Sequence, residues 1–278
     1  MHATLVDVAT LAEHLDDPRW VVVDCRHTLA DFSAGRREYE SAHIPGAFFA
    51  DVETDLAGVH TGTNGRHPLP GRDDFVALLR RMGVSGDTQL IAYDAGADMF
   101  AARLWFLARW VGHRAVAVLD GGWKAWCDAD APGTADVTPK PPHRGTIAAF
   151  APLDGTVNAA AVSRAIGSDD MLLLDARAPE RYAGEVEPID PVAGHIPGAR
   201  NRWFKSNYDD RGFWKSPERL NAELGAFGES SRVVNYCGSG VSAAVNALAF
   251  EIAGLSGARL YPGSWSEWCS TPREVERF

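Results

Sequence analysis

The amino-acid sequence predicts an α/β fold made of two similar domains. Short continuous apolar runs alternate with helical segments, four landmarks occur twice in the same order, and a stretch rich in proline, glycine and threonine separates the copies. WVVVDCRH at 20–27 returns as MLLLDARA at 171–178, and SAHIPGAFF at 41–49 as AGHIPGARN at 193–201. IAYDAGAD at 91–98 returns as VNYCGSGV at 234–241, and LDGGWKAWC at 119–127 as YPGSWSEWC at 261–269. Chance similarity does not keep four landmarks in order. The spacer DAPGTADVTPKPPHRGT, residues 130–146, has the composition of an extended linker. The expected division is a first domain at 1–135, a connection at 136–156 and a second domain at 157–278.

The elements follow from the patterning. Apolar runs at 21–23, 90–93 and 116–119, and again at 172–174 and 233–236, are too short for helices and too continuous for half-exposed strands. They suit parallel strands covered on both faces, with helices as the crossovers. Segments 98–111 and 241–253 carry a helical pattern that stops at Gly112 and Gly254, glycine being the residue that accepts the left-handed turn closing a helix.

Composition narrows the function. The chain has 278 residues, 46% hydrophobic and 23% charged, with a formal charge of −10. An acidic protein does not attract nucleic acid or an anionic membrane at long range, although a few local arginines still hold a small anion. The opening residues MHATLVDVATLAEHLDD lack the basic segment and apolar run of a secretory signal, and no uncharged run has the length of a membrane span. A cytoplasmic location is expected. Cys25, Cys127, Cys237 and Cys269 are far apart, with no zinc-type spacing, so neither a disulfide framework nor a metal site is indicated.

The repeated loop is armed in one copy alone. Cys237 stands where a buried strand ends and a helix is about to begin, and Asp94 holds its place in the first copy. Gly238 and Gly240 allow a tight curl in which amide N–H groups from about 238 to 243, including those of Val241 and Ser242, turn toward the sulfur. Such a cradle favours a thiolate, and it equally suits the terminal sulfur of a persulfide. Cys25, Cys127 and Cys269 read as small buried residues beside strand ends or tryptophans. Asp24, Asp175, His43 and His195 recur in both copies and read as structural, as do Trp123, Trp126, Trp265 and Trp268.

HIPGA in both halves, the paired WxxW segments and the loop CGSGVSA together resemble the two-domain rhodaneses, the thiosulfate and 3-mercaptopyruvate sulfurtransferases. The resemblance spans nearly the whole chain. It implies two tandem rhodanese-like domains, each a mostly parallel sheet flanked by helices, with an inactive first copy that helps wall the site. CGSGV is similar to the mercaptopyruvate branch; the thiosulfate branch places a basic residue at the positions of Gly238 and Ser239. By the same resemblance Ser239 pairs with His67 of GRHPLP and with an acid at Glu53, near which Asp51 and Asp55 are competitors. Arg181 of PERYAG is the implied substrate-binding residue. A second arginine expected within EPIDPVAGHIPG is replaced by Ile189, leaving Arg200 and Arg202 as neighbouring candidates.

The implied reaction moves a sulfane sulfur from a small anionic donor, 3-mercaptopyruvate before thiosulfate, through a Cys237 persulfide. The acceptor is cyanide or a thiol, such as a reduced small thiol or a thioredoxin-like protein, and no cofactor is needed. A cysteine phosphatase on this domain requires an arginine six residues after the nucleophile, where Ala243 stands. A sulfur carrier or binding module without turnover is the remaining alternative.

Overall fold

The computed structural model describes residues 1–141 and 143–278; Pro142, inside the expected linker, lies outside the described residues. The chain divides into two compact units. The first comprises 1–58, 70–153 and 210–214; the second comprises 59–69, 154–209 and 215–278. The 59–69 segment therefore leaves the first half of the sequence to pack with the second unit.

In the first unit β1 (Leu5–Val6), α1 (Val8–Glu13), β2 (Trp20–Asp24), α2 (Ala34–Ser41), β3 (Phe48–Phe49), α3 (Arg72–Arg81), β4 (Gln89–Tyr93), α4 (Phe100–Trp110), β5 (Val116–Leu119) and α5 (Gly122–Asp128) follow in order. The sheet runs β1-β5-β4-β2-β3 with every pairing parallel. β4 is buried along its whole length, which explains why QLIAY shows no polar alternation. α1 begins where the Asp7 carboxylate accepts the Thr10 N–H at 2.7 Å. α4 ends before Gly112, whose φ of +90° suits a helix stop. Residues 145–153 lie against this unit through backbone bonds such as Phe150 N–H to Val111 and Leu153 N–H to Arg109.

The second unit repeats the plan with α6 (Ala159–Ala165), β6 (Leu172–Asp175), α7 (Pro179–Ala183), β7 (Arg200–Asn201), α8 (Pro217–Gly225), β8 (Val233–Tyr236), α9 (Ala243–Ile252), β9 (Arg259–Leu260) and α10 (Ser264–Trp268). Its parallel sheet runs β7-β6-β8-β9. A single parallel bridge from Thr156 to Leu260 stands where β1 pairs with β5 in the first unit.

The residues read as structural form twin clusters. Asp24 is buried against Arg26 and Tyr93, and Asp175 against Arg177. The guanidinium carbons of Arg26 and Arg177 lie 4.7 and 4.8 Å from the rings of Trp123 and Trp265. His43 and His195 each stack on a tyrosine at 4.0 Å, and each bridges antiparallel to a late residue of its own copy. Trp126, Trp265 and Trp268 are buried, and Trp123 packs against the core from a partly buried position. The cysteines depart from expectation. Cys25 is fully buried, but Cys127 is exposed and Cys269 half-buried, because α5 and α10 turn only their tryptophan faces to the core.

Candidate active site

The second unit's site is built on the loop from β8 to α9. Cys237 follows the last residue of the central strand and is 2% exposed. Its backbone is pinned from both sides: the N–H donates to Ser264 Oγ at 3.1 Å, and the C=O accepts the Trp265 N–H at 2.9 Å. The amide of Gly240 donates to the sulfur at 3.0 Å. Gly240 sits at φ +81°, and a Cβ there would meet the Pro262 carbonyl oxygen at 2.2 Å, so the curl requires glycine. α9 begins after Ser242, and Val241 and Ser242 are buried with the loop. Of the amides expected to turn toward the sulfur, that of Gly240 is seen to reach it.

Asp94 occupies the same place in the first unit. One carboxylate oxygen accepts the Gly96 N–H at 3.0 Å and the other accepts the Ala101 N–H at 3.0 Å. Its C=O accepts the Trp123 N–H at 2.8 Å, the counterpart of the Trp265 bond to Cys237. Gly122, at φ +59°, matches Ser264 at φ +55°. The carboxyl group fills its own loop where the second copy presents sulfur. Burial raises the Asp94 pKa, and the amide bonds from Ala101, Gly96 and Phe100 oppose that rise.

Around the armed loop the second unit collects further chemistry. His67 Nδ1 lies 2.7 Å from Ser239 Oγ, both side chains being buried. This contact joins a residue of the 59–69 segment to the residue two beyond Cys237. Glu53 belongs to the first unit, where its carboxylate lies 3.5 Å from His27 Nε2. Burial lowers the His27 pKa, and Glu53 pulls against that shift. Asp51 accepts the N–H groups of Glu53 and Thr54, and Asp55 accepts that of Asp51, so the two competing acids serve the local turn.

Arg181, on α7, is held by Glu187 through Nε at 3.2 Å and Nη2 at 2.6 Å, and by Asp190 at 3.3 Å. Burial would raise the Glu187 pKa, but the bonds from Arg181 and the Asp190 amide bring it below the usual carboxylate value. Asp190 goes the other way: burial holds its pKa up despite nearby Arg66. Arg66 pairs with Asp190, and its backbone N–H donates to Ser266 Oγ at 3.0 Å. A Cβ built on Gly238 would lie 3.0 Å from Arg66 Nη2 and 3.6 Å from Arg181 Nη1, so both guanidinium groups lie over the residue that follows the nucleophile.

Arg66 was not among the residues read from the sequence. Its signal was its place directly before His67, on a segment too irregular to place by pattern. The candidates Arg200 and Arg202 are engaged elsewhere: Arg200 lies over the Phe227 ring at 4.6 Å, and Arg202 bonds Asn207 and Glu223. Ile189 is half exposed, its N–H donating to Glu187. Among the described residues no group of three or more His, Cys, Asp or Glu is arranged to hold a metal, and no helix is long and apolar enough to cross a membrane.

The family model for the Rhodanese-like domain matches residues 7–129 and 158–271. A Pseudomonas aeruginosa protein that bears the name "Probable 3-mercaptopyruvate sulfurtransferase" is 44% identical over 276 residues, covering 98% of this chain and 96% of that protein. The thiosulfate sulfurtransferase of Cricetulus griseus is 33% identical over 282 residues, covering 96% and 92% respectively. The crystal structure of SseA from Escherichia coli, a 3-mercaptopyruvate sulfotransferase, superposes with a TM-score of 0.81 at 31% identity over 95% of this chain and 99% of that one. Two matched segments, one per parallel sheet, with a cysteine loop in the second and an aspartate loop in the first, place this chain in the rhodanese-like family.

Proposed function

We propose that this chain is a sulfurtransferase that takes sulfur from 3-mercaptopyruvate and passes it to a thiol or cyanide. In the first half-reaction the Cys237 thiolate attacks the donor sulfur. The carbon–sulfur bond breaks, its electron pair stays on the CH2 carbon, and the products are a Cys237 persulfide and the enolate of pyruvate. A proton delivered to that carbon completes pyruvate. In the second half-reaction the acceptor attacks the terminal sulfur and releases the Cys237 thiolate. A reduced small thiol or a thioredoxin-like protein of the cytoplasm fits the acceptor role.

The observation that carries this reading is the 2.7 Å contact between His67 Nδ1 and Ser239 Oγ, two residues from the nucleophile. An enolate must be protonated, and a histidine–hydroxyl pair is suited to move that proton. Sulfite leaving from thiosulfate needs no proton on carbon. We assign Cys237 as nucleophile, Ser239 and His67 as the proton path with Glu53 as its acid, and Arg181 as the group that holds the donor carboxylate. The amides of Gly238, Gly240, Val241 and Ser242 form the rim that favours negative sulfur. The domain limits 1–135 and 157–278 are part of this proposal, with catalysis in the second.

Thiosulfate is the second reading, favoured by the basic groups over Gly238, which suit a donor that leaves as a doubly charged anion. Steady-state kinetics with both donors tests the assignment. We expect kcat/KM for 3-mercaptopyruvate at least tenfold above that for thiosulfate, and no turnover of either by Cys237→Ser. Equal use of the donors would overturn the choice. A gain of one sulfur atom at Cys237 without transfer to any acceptor would make the protein a carrier.

A further inference from the structure

β2 ends at Asp24, and His27 follows it at the carboxyl edge of the first sheet, the edge where open α/β sheets present their ligand sites. This histidine has no counterpart in the second copy: WVVVDCRH aligns with MLLLDARA, which puts Ala178 at that place. Unlike His43 and His195, it is therefore no part of the shared fold. Its side chain is 1% exposed, between Phe100, whose ring lies edge-on at 5.0 Å, and Phe32, stacked at 5.6 Å. Its backbone is equally confined, because α2 passes so close that a Cβ on Gly35 would meet the Arg26 carbonyl and lie 3.1 Å from His27 Cα.

Nε2 of this ring is buried and makes no hydrogen bond to the described protein. It stands 3.5 Å from a carboxylate oxygen of Glu53, the acid assigned above to the proton path. That separation exceeds a formed N–H···O bond, but the bonds of a catalytic relay are commonly long in the free enzyme and close when substrate binds. Glu53 has the freedom to close it. Its backbone N–H is tied to Asp51 at 2.9 Å, while its side chain is 27% exposed. A carboxylate shift of about half an ångström completes the bond.

The charged groups that face the ring are both acids, Glu53 and Asp51. Burial lowers the His27 pKa, and the two carboxylates only partly oppose that shift. A neutral imidazole carries one N–H, and with the proton on Nε2 it donates to Glu53 without cancelling the carboxylate's charge. A relay acid needs both of these, a fixed direction and a retained charge. We propose that His27 is a positioning residue for sulfur transfer, donating Nε2–H to the Glu53 carboxylate and holding it in the orientation that serves the proton path. This rests on the sulfurtransferase reading, with Glu53 as its acid, and deepens it.

The test uses the full chain and two readouts. His27→Phe keeps an aromatic ring beside Phe32 and Phe100 and removes the N–H. With 3-mercaptopyruvate its kcat falls about tenfold, the worth of one hydrogen bond to a charged group, while KM stays within about twofold. His27→Gln, whose side-chain amide reaches the place of Nε2, recovers most of the loss. Because His27 acts through Glu53, His27→Phe adds nothing in a Glu53→Gln background, and the double variant keeps the kcat of Glu53→Gln within about twofold. Iodoacetamide alkylates Cys237 at the wild-type rate in all of these variants, which reports that the loop is folded. The second readout needs no turnover and stands even if His27→Phe does not fold. The NMR signal of the His27 ring, assigned by its loss in His27→Gln, titrates at lower pH in Glu53→Gln, because the carboxylate that supports the cation is gone.

A His27 titration identical in wild type and Glu53→Gln, full kcat in His27→Phe beside an impaired Glu53→Gln, or losses that multiply in the double variant would overturn the role of His27. Glu53→Gln at the wild-type kcat, with the NMR shift present, would leave the contact standing but remove Glu53 from the proton path. That outcome overturns the underlying reading and the role of His27 with it.

Discussion

His67 Nδ1 and Ser239 Oγ stand 2.7 Å apart although 172 residues separate them in sequence. A buried pair of this kind leaves each partner with an unmet polar group when the other is removed. Its position beside Cys237 gives the loss a chemical readout. Ser239→Ala and His67→Asn should each lower kcat/KM for 3-mercaptopyruvate by about 10²- to 10⁴-fold, the usual worth of positioned proton transfer. The rate of Cys237 alkylation by iodoacetamide should change by no more than about twofold. A matching fall in the alkylation rate would mean that the pair holds the loop and does not move protons.

Gly240 has no substitute in its loop. Alanine there adds about 1–2 kcal/mol of left-handed backbone strain and drives a methyl into the Pro262 carbonyl oxygen. Gly240→Ala should abolish rapid alkylation of Cys237 and lower the melting temperature, whereas Gly225→Ala, with nothing near its Cβ position, should do neither. Retention of thiol reactivity in the first variant would contradict the described curl.

Asp94 fills the first unit's loop with its own carboxyl group. Asp94→Ala leaves the N–H groups of Gly96 and Ala101 without their acceptor and should cost about 1–3 kcal/mol of stability at neutral pH, measured by urea unfolding. Cys237 alkylation should be unaffected. Burial raises the folded-state pKa of Asp94 above its unfolded value of 3.8, so this group's contribution is fully present below pH 3.8 and declines as pH rises through the folded value. The deficit of the variant should therefore widen as the solution is acidified. A deficit that narrows would refute the assigned direction.

Glu223 has the opposite dependence. Burial alone would raise its pKa, but Lys215, Arg202 and Arg219 bring it down to about 2 from 4.5. Its contribution is present above pH 4.5 and lost as pH falls toward about 2. After allowance for solvent screening, Glu223→Gln should cost about 1 kcal/mol at pH 7 and almost nothing near pH 2. Equal deficits at the two pH values would exclude the three-cation cluster as a stabilising unit.

The repeat was legible because parallel sheets buried on both faces write continuous apolar runs: QLIAY and VVNY are such strands, and the glycines after α4 and α9 mark real helix ends. Cys237 and Gly240 were legible for a related reason, since strand, nucleophile, glycine and helix follow one another without a gap, whereas Ser239 and His67 were named through the resemblance alone. β1 and β9, two residues each, carry too little pattern to register. Cys127 was misplaced because recurrence beside tryptophan says nothing of which face of a short helix turns inward. Arg66 escaped because long-range packing of an irregular segment, and not any local period, brings its guanidinium over Gly238.

The crossing of residues 59–69 into the second unit makes the duplication indivisible. A gene split after residue 153 would give the downstream polypeptide its thiol and Arg181, but would strand His67 and Arg66 on the upstream product. Neither polypeptide would then hold the full set of side chains gathered around the β8–α9 loop.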